Sequence, residues 1–130
     1  TIHAVASPQV AARLPQGGTL ADLADVPLIQ PVGISQTWAT LDPSHSLNPA
    51  IYVDTHGLAV GLAVEGAGVA LAHVQVCIQA VRDGRLVMLP IAPMDADEGY
   101  FLAVKPTALP DARDAFVAWF KAVAAAPHQA

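Results

Sequence analysis

Between residues 57 and 81 the chain carries only one charged residue, Glu65, apart from a titratable histidine. A run of this length can cross a bilayer, or it can be buried inside a folded domain. Glu65, Gly66 and Gly68 stand in its middle, where a charge and two helix-weakening residues would be costly in lipid. The run therefore predicts a helix, a tight turn, a buried strand and a second helix, with no membrane-spanning segment.

The rest of the chain continues this alternation of short apolar segments with helical patterns. Strands are predicted at 2–6, 28–30, 50–53, 69–71, 85–89 and 100–104. Helices are predicted at 9–14, 20–24, 58–63 and 74–81 and from Pro110 onward, several of them opened by Ser, Thr or Asp as N-caps. Strands that alternate with helices over short connections predict an α/β fold with a mainly parallel sheet flanked by helices.

The helix that follows Pro110 has one strongly apolar face. Phe116, Trp119, Phe120 and Val123 fall at the i, i+3, i+4, i+7 spacing of a single helical stripe. This pattern predicts that the stripe is the buried face of the helix.

Charge and length exclude several classes of function. The 130 residues suit one compact domain, and 54% of them are hydrophobic, which is far from the composition of a disordered chain. The net charge is −5, and no two of the six Lys and Arg residues are adjacent, so no phosphate-binding patch is expected. Because the chain opens at Thr1 and runs directly into a strand, we expect it to be part of a longer protein.

The sequence contains no recognisable catalytic or metal-binding constellation. The single Cys77 lies between Val76 and Ile78, which predicts a small buried hydrophobe and excludes an internal disulfide. The five histidines show no metal-ligand spacing, and no Gly-x-Ser-x-Gly nucleophile elbow occurs. We expect no metal, no cofactor and no enzymatic activity.

One strand-to-helix junction does have the chemistry of a binding site. Segment 53–57 reads Val-Asp-Thr-His-Gly, so the Thr55 hydroxyl and the His56 imidazole stand at the positive end of a helix. Backbone N–H groups at such an end bind anions and carboxylates, and ligands of open α/β sheets sit at the carboxyl ends of strands. The same residues also suit plain helix capping, and the sequence leaves both roles open.

A second strand ends at the corresponding place. Gln30 and Val32 flank the proline that follows the strand at 28–30, so their side chains are candidates for the same site. Trp38, a few residues later, either walls a pocket there or fills the core.

Seven short motifs, in order along the chain, resemble the effector-binding domain of LysR-type transcriptional regulators. They are Ser-Pro at 7–8, Leu-x-Asp-Leu at 20–23, Val-Pro-Leu-Ile at 26–29, Gly-x-Gly-Val-Ala-Leu at 66–71, Gly-x-Leu-Val at 84–87, the strand 100–104 with Pro106, and Phe-x-x-Trp-Phe at 116–120. The family normally has Pro shortly after the Gly-x-Gly motif, where this chain has Ala72 and His73.

The resemblance implies a fold like that of the type 2 periplasmic binding proteins, in which two α/β subdomains clamp a small effector. It assigns residues 1–98 to the second subdomain and residues 99–130 to a returning strand and C-terminal helix of the first. With most of the first subdomain lacking, the apolar stripe of that helix would be exposed. A patch of this width is larger than monomers usually tolerate, so we expect the chain to form a homo-oligomer through this helix. The resemblance further implies a cytoplasmic regulator that reaches promoter DNA only through an N-terminal domain lacking in this chain.

By the same resemblance, the effector would lie near Gln30, Val32, Thr55 and His56, with Trp38 as a further candidate. Two alternatives stay open from the sequence. One is an extracytoplasmic solute-binding protein of the same fold, and the other is a small α/β enzyme.

Overall fold

A computed structural model describes residues 1–15, 18–33, 37–44, 46–95, 101–106 and 109–125. The chain divides into two compact units, Thr1–Glu98 and Gly99–Ala130. The strands are β1 (Ile2–Ala6), β2 (Leu28–Pro31), β3 (Ile51–Val53), β4 (Val69–His73) and β5 (Val87–Met88). The helices are α1 (Pro8–Ala11), α2 (Trp38–Leu41), α3 (His56–Val64), α4 (Val74–Arg82) and α5 (Pro110–Ala125), with a 3-10 helix at Leu20–Leu23.

The first unit is built on one five-stranded sheet in the order β3-β2-β4-β1-β5. β2 is parallel to β3 and β4, whereas β1 is antiparallel to β4 and β5. The predicted α/β class is confirmed, but the sheet is mixed rather than mainly parallel. Because β1 runs against β4, it ends at the edge where β2 begins, and the connection between them stays at that edge.

Each face of the sheet has its own hydrophobic core. On one face, α3 and α4 pack through Ala59, Val60, Ala63, Cys77 and Ala80 onto Val5, Ile29, Ala70 and Ala72. On the other face, α1, the 3-10 helix, α2 and two loop residues pack through Val10, Leu23, Trp38, Leu47 and Leu89 onto Ile2, Ala4, Leu28 and Leu71. Successive strand residues therefore alternate between the two cores, as the pleat requires.

The near-uncharged run folds as predicted, into α3, a turn, β4 and α4. Thr55 caps α3, because its hydroxyl accepts a hydrogen bond from the Leu58 N–H at 3.2 Å. Gly84 closes α4 with a φ of 68°, in the left-handed region. No helix in the described part of the chain is long and apolar enough to cross a membrane.

Three predicted elements are much shorter than expected or are not formed, and one of them is the strand predicted at 85–89, of which only β5 forms. The helix predicted at 9–14 is only α1, because the chain tightens after Ala11 into i→i−3 turns, with Leu14 N–H donating to the Ala11 carbonyl at 3.0 Å. The strand predicted at 100–104 is not formed over residues 101–104, and residue 100 lies outside the described residues. A strand needs a partner for its backbone groups, and no described residue pairs with this segment.

The loop after α2 is organised around the carboxylate of Asp42, which is 6% exposed. It accepts hydrogen bonds from the hydroxyls and backbone N–H groups of Ser44 and Ser46 and from the N–H of Leu47. Chiefly the two hydroxyl bonds, opposed by burial, hold the pKa of the Asp42 carboxyl well below its usual range. The loop thus depends on an ionised carboxylate for its shape.

Replacing that carboxylate is expected to make the fold less stable and less sensitive to acid. A depressed pKa in the folded state adds stability that is complete above the unfolded value of 3.8 and is lost as the pH falls below it. Asp42→Asn should lower Tm at neutral pH and flatten the decline of Tm between about pH 4 and pH 2. Thermal melts followed by circular dichroism measure both effects.

The matched control is Asp25→Asn, since Asp25 is exposed and this substitution should leave Tm at neutral pH nearly unchanged. Equal acid sensitivity in the wild-type chain and the Asp42→Asn variant would contradict the role given to Asp42.

A close backbone contact predicts a second effect on stability. A Cβ added at Gly68 would overlap the Pro27 carbonyl oxygen, which accepts the Val69 N–H at 2.9 Å. Gly68→Ala must therefore push the starts of β2 and β4 apart, at a cost of about 1–3 kcal/mol in unfolding free energy. A Cβ added at Gly61 in α3 would have no atom outside its own helix backbone within 4 Å, so Gly61→Ala should instead be neutral or stabilising by up to about 1 kcal/mol.

Urea denaturation of the two alanine variants measures these free energies. The interpretation of the Gly68 contact fails if both substitutions change the unfolding free energy equally.

Candidate functional site

The carboxyl ends of the parallel strands β3, β2 and β4 lie at one edge of the sheet. Val32 follows β2, and its N–H donates to the Val53 carbonyl at 2.8 Å, which holds the ends of β2 and β3 together. Thr55 follows β3, and His56 begins α3. Three of the predicted site residues, Val32, Thr55 and His56, therefore lie at the edge where open α/β sheets bind ligands.

The N-terminus of α3 directs the positive end of the helix dipole at this edge. Thr55 has extended backbone angles of −140° and 153°, as an N-cap should, and it is exposed. A hydroxyl that accepts a capping hydrogen bond still has a proton to donate to a ligand. The backbone N–H groups of His56 and Gly57 belong to the first turn, where the helix itself supplies no acceptor.

His56 and His73 come together at the same edge, one at the start of α3 and one at the end of β4. Their rings meet edge to face, with centroids 5.3 Å apart and planes inclined by 74°. Both ring nitrogens of His56 are buried and have no hydrogen-bond partner among the described residues. Buried polar atoms without partners are costly, so a rotation of this ring that brings a nitrogen to a polar ligand at the edge would be favourable.

The sequence prediction missed His73, because the pair exists only through the packing of α3 beside β4. A signal was present, since position 73 is close to where the LysR pattern normally has Pro and this chain has a titratable side chain.

Gln30 and Trp38 lie on the sheet face opposite α3, apart from Thr55 and His56, and their side chains form hydrogen bonds within the fold. The Gln30 side chain accepts from the Trp38 backbone N–H at 3.1 Å and donates to the Pro31 carbonyl at 2.6 Å. The Trp38 indole is wholly buried and donates to the Ile29 carbonyl at 3.0 Å. Of the two roles open to Trp38, filling the core is the one observed. Gln30 follows Leu28 by two residues, so it belongs to the sheet face opposite α3.

A shallow groove of about 280 Å³ lies beside Gln30 on that face. Its lining residues are Gln30, Thr37, Ala39, Leu47, Asn48, Pro49 and Tyr52. Tyr52 is 63% exposed on the edge strand β3. The sequence prediction passed over Tyr52, although alternation in Ile51-Tyr52-Val53 marked it as the outward residue of its strand.

The buried thiol has the environment of a core residue. Cys77 is fully buried among α3 and α4, and burial raises the pKa of its thiol, which keeps the sulfur protonated. The prediction of a small buried hydrophobe is confirmed. Within the described residues, no group of three or more His, Cys, Asp or Glu side chains is placed to hold a metal ion.

Comparison with solved structures identifies the fold. The regulatory domain of CrgA, a LysR-type transcriptional regulator from Neisseria meningitidis, superposes with a TM-score of 0.57 at 21% identity, covering 68% of this chain and 46% of that chain. The effector domain of the transcriptional regulator AmpR from Pseudomonas aeruginosa gives 0.57 at 24%, covering 71% and 44%. An effector binding domain from Citrobacter freundii gives 0.59 at 22%, covering 72% and 48%.

This chain spans less than half the length of each of these three chains. At such identities the likeness shows the fold, the α/β architecture of the type 2 periplasmic binding proteins. A search of curated proteins found no match.

The family model described as the LysR substrate binding domain matches residues 1–125. CrgA and AmpR, whose folds are similar, are transcriptional regulators. Since the matching region covers almost the whole chain, the chain belongs to the LysR substrate-binding domain family.

Proposed function

We propose that this chain is the effector-sensing part of a cytoplasmic LysR-type transcriptional regulator, and that its small-molecule effector binds at the carboxyl edge of β3, β2 and β4. The observation that carries the proposal is His56, whose two buried ring nitrogens have no partner in the described part of the chain. A ligand with polar atoms at this edge would bind the first-turn N–H groups of α3, and rotation of the His56 ring toward the ligand would satisfy a ring nitrogen as well.

The chemistry of the edge favours a small anionic effector, such as a monocarboxylate. Its donors are backbone N–H groups, the Thr55 hydroxyl and an imidazole, all of which stabilise a carboxylate. The described residues at the ends of these strands include no Lys or Arg, so binding would rest on dipoles rather than on an ion pair. Asp54 is exposed there, and solvent and salt reduce its repulsion of an anion.

Regulation would follow from how the effector changes the equilibrium between two states. An effector shifts a conformational equilibrium only by its difference in affinity for the two states. This acidic chain has six Lys and Arg residues and no adjacent pair of them, so it offers no patch for DNA phosphates. Promoter DNA would therefore be bound by a separate N-terminal domain of the regulator.

The proposal is tested with variants that change one function of a site residue at a time. His56→Phe keeps an aromatic ring and removes both nitrogens, so it should preserve or raise stability while weakening effector binding. Loss of a hydrogen bond to a charged group should raise the half-maximal effector concentration in the intact regulator about tenfold or more. Operator binding without effector should be unchanged.

The control variants separate capping from binding. Thr55→Val removes the hydroxyl and should weaken both the cap and the response, whereas Thr55→Ser keeps the hydroxyl and should retain both. Glu65→Gln, at the opposite end of α3, should leave the response unchanged. Normal induction in both His56→Phe and Thr55→Val would show that the effector site has been assigned wrongly.

The chain itself allows a direct measurement with acetate as the probe. Acetate should shift the backbone amide resonances of His56 and Gly57 saturably, and chloride at equal ionic strength should not. In His56→Phe the acetate shifts should weaken in parallel with the response.

We further propose that the chain dimerises through α5. Phe116, Trp119, Phe120 and Val123 are between 40% and 58% exposed and form one stripe. Within it the Phe116 ring lies 5.6 Å from that of Trp119 and 6.2 Å from that of Phe120, so the stripe is already a continuous aromatic surface. An exposed patch of this kind marks a protein contact surface.

Trp119→Glu is expected to shift the chain toward monomer, because a charge at the centre of an apolar interface is not compensated. Ala118→Glu is the matched control, since residue 118 lies on the opposite, charged side of α5. Sedimentation equilibrium measures the association. A wild-type chain that is monomeric at high concentration would contradict the proposal.

A further inference from the structure

A concave apolar surface lies at the opposite edge of the sheet from the proposed effector site. It encloses about 260 Å³ between the α1 segment, the 3-10 helix and β5. Its apolar lining includes Ala11, Leu14, Leu23, Val87, Leu89 and Ile91. Strand register places it at a distance from the effector edge, because Ala6 pairs with Val87 here while Ile2, at the other end of β1, pairs with His73.

The base of this cavity belongs to the core, whereas its walls are only partly covered. Leu23 and Leu89 are 1% and 6% exposed. Ala11, Leu14 and Ile91 are half-buried around them. Apolar walls that remain open to water gain free energy when a ligand covers them. Because the base of the cavity is already packed, its side chains lose little conformational freedom when a ligand binds. This lowers the free-energy cost of association.

The carboxylate of Asp22 gives this cavity a negative charge. Asp22 lines it and accepts hydrogen bonds from the Thr19 N–H at 2.6 Å and the Thr19 hydroxyl at 2.9 Å through the same oxygen, Oδ2. These two bonds lower the pKa of the Asp22 carboxyl, so it is ionised at neutral pH. None of the described residues that line the cavity is Lys, Arg or His.

We propose that this cavity is a second ligand site, which takes a small organic cation with an apolar body, such as a single-ring arylalkyl ammonium. The ring covers the walls formed by Leu14, Val87 and Ile91, and the ammonium group donates to Asp22. The size is suitable, since an apolar cavity of about 150 Å³ holds benzene and the remaining volume takes a short charged arm. The proposal does not depend on the effector site.

The charge preference distinguishes the two sites. The carboxyl edge presents helix N–H groups and favours anions, whereas this cavity presents an ionised carboxylate without a cationic side chain among its described lining residues. A carboxylate ligand in the cavity would be repelled by Asp22, and a neutral ligand would gain no charge–charge attraction from it. Charge complementarity therefore selects a cation.

The experiment compares three probes of nearly equal shape on the 130-residue chain: benzylamine, which is cationic at neutral pH, benzyl alcohol and benzoate. Two-dimensional amide NMR titrations locate each probe and give its dissociation constant. Benzylamine should shift amides of Leu14, Leu23 and Ile91 and bind about fivefold more tightly than benzyl alcohol, as expected for a partly exposed ion pair. Benzoate should not bind there.

Variants then test each part of the site. Asp22→Asn keeps an acceptor for the Thr19 N–H and removes the charge, so it should abolish the preference for benzylamine over benzyl alcohol. Ala11→Phe, or Ile91→Trp if the first variant does not fold, should fill the cavity and abolish binding of both probes. Asp25→Asn, which changes an exposed carboxylate that does not line the cavity, should change neither affinity.

The proposal is overturned if benzylamine binds no more tightly than benzyl alcohol, if Asp22→Asn keeps the preference, or if no binding occurs up to about 10 mM. It is also overturned if the benzylamine shifts centre on His56 and Gly57. The amide resonances of His56 and Gly57 measure acetate binding at the proposed effector site, whereas those of Leu14, Leu23 and Ile91 measure binding in this cavity. The two proposals can therefore fail independently.

Discussion

The contact between Gly68 and Pro27 sets the spacing on which the rest of the first unit depends. A side chain at position 68 would collide with the Pro27 carbonyl, the group that accepts the Val69 N–H and begins the parallel pairing of β2 with β4. That pairing lies at the centre of the sheet, with β3 outside one strand and β1 outside the other. Both hydrophobic cores rest on these two central strands, so the backbone approach at one glycine governs how closely every layer packs.

The side chains of the central strands point alternately to the two faces of the sheet, so the two hydrophobic cores have different chemical surroundings. In β2, Ile29 faces α3 and α4, whereas Leu28 and Gln30 face Trp38. Gln30 uses its amide to fix the Trp38 backbone, and Trp38 in turn uses its indole N–H to satisfy the Ile29 carbonyl. These bonds make a buried polar network whose members hold α2 against the sheet. The residues left for binding are therefore those at the strand ends, where the backbone leaves the two cores.

Local signals in the sequence predicted most elements, because caps, glycine turns and apolar periodicity act within a few residues. Thr55 as a cap, the Gly66–Gly68 stop and Gly84 as a left-handed residue are examples. Contacts between residues that are far apart in the sequence could not be predicted from these local signals. The direction of β1, the burial of Trp38 and the meeting of His56 with His73 depend on which strands become neighbours. The strand at 100–104 was predicted from its apolar composition, but a strand also needs a partner, which composition does not supply.

Capping and ligand binding at Thr55 were alternatives in the sequence, yet helix geometry makes them compatible. The first turn of a helix has N–H groups with no intrahelical acceptor, and the Thr55 hydroxyl satisfies only that of Leu58. The N–H groups of His56 and Gly57 still point out of the same end, beside an imidazole whose nitrogens are buried without described partners. The cap orients the turn that carries His56, whose ring lies against that of His73, so the structural role of Thr55 prepares the surface that an anion would use.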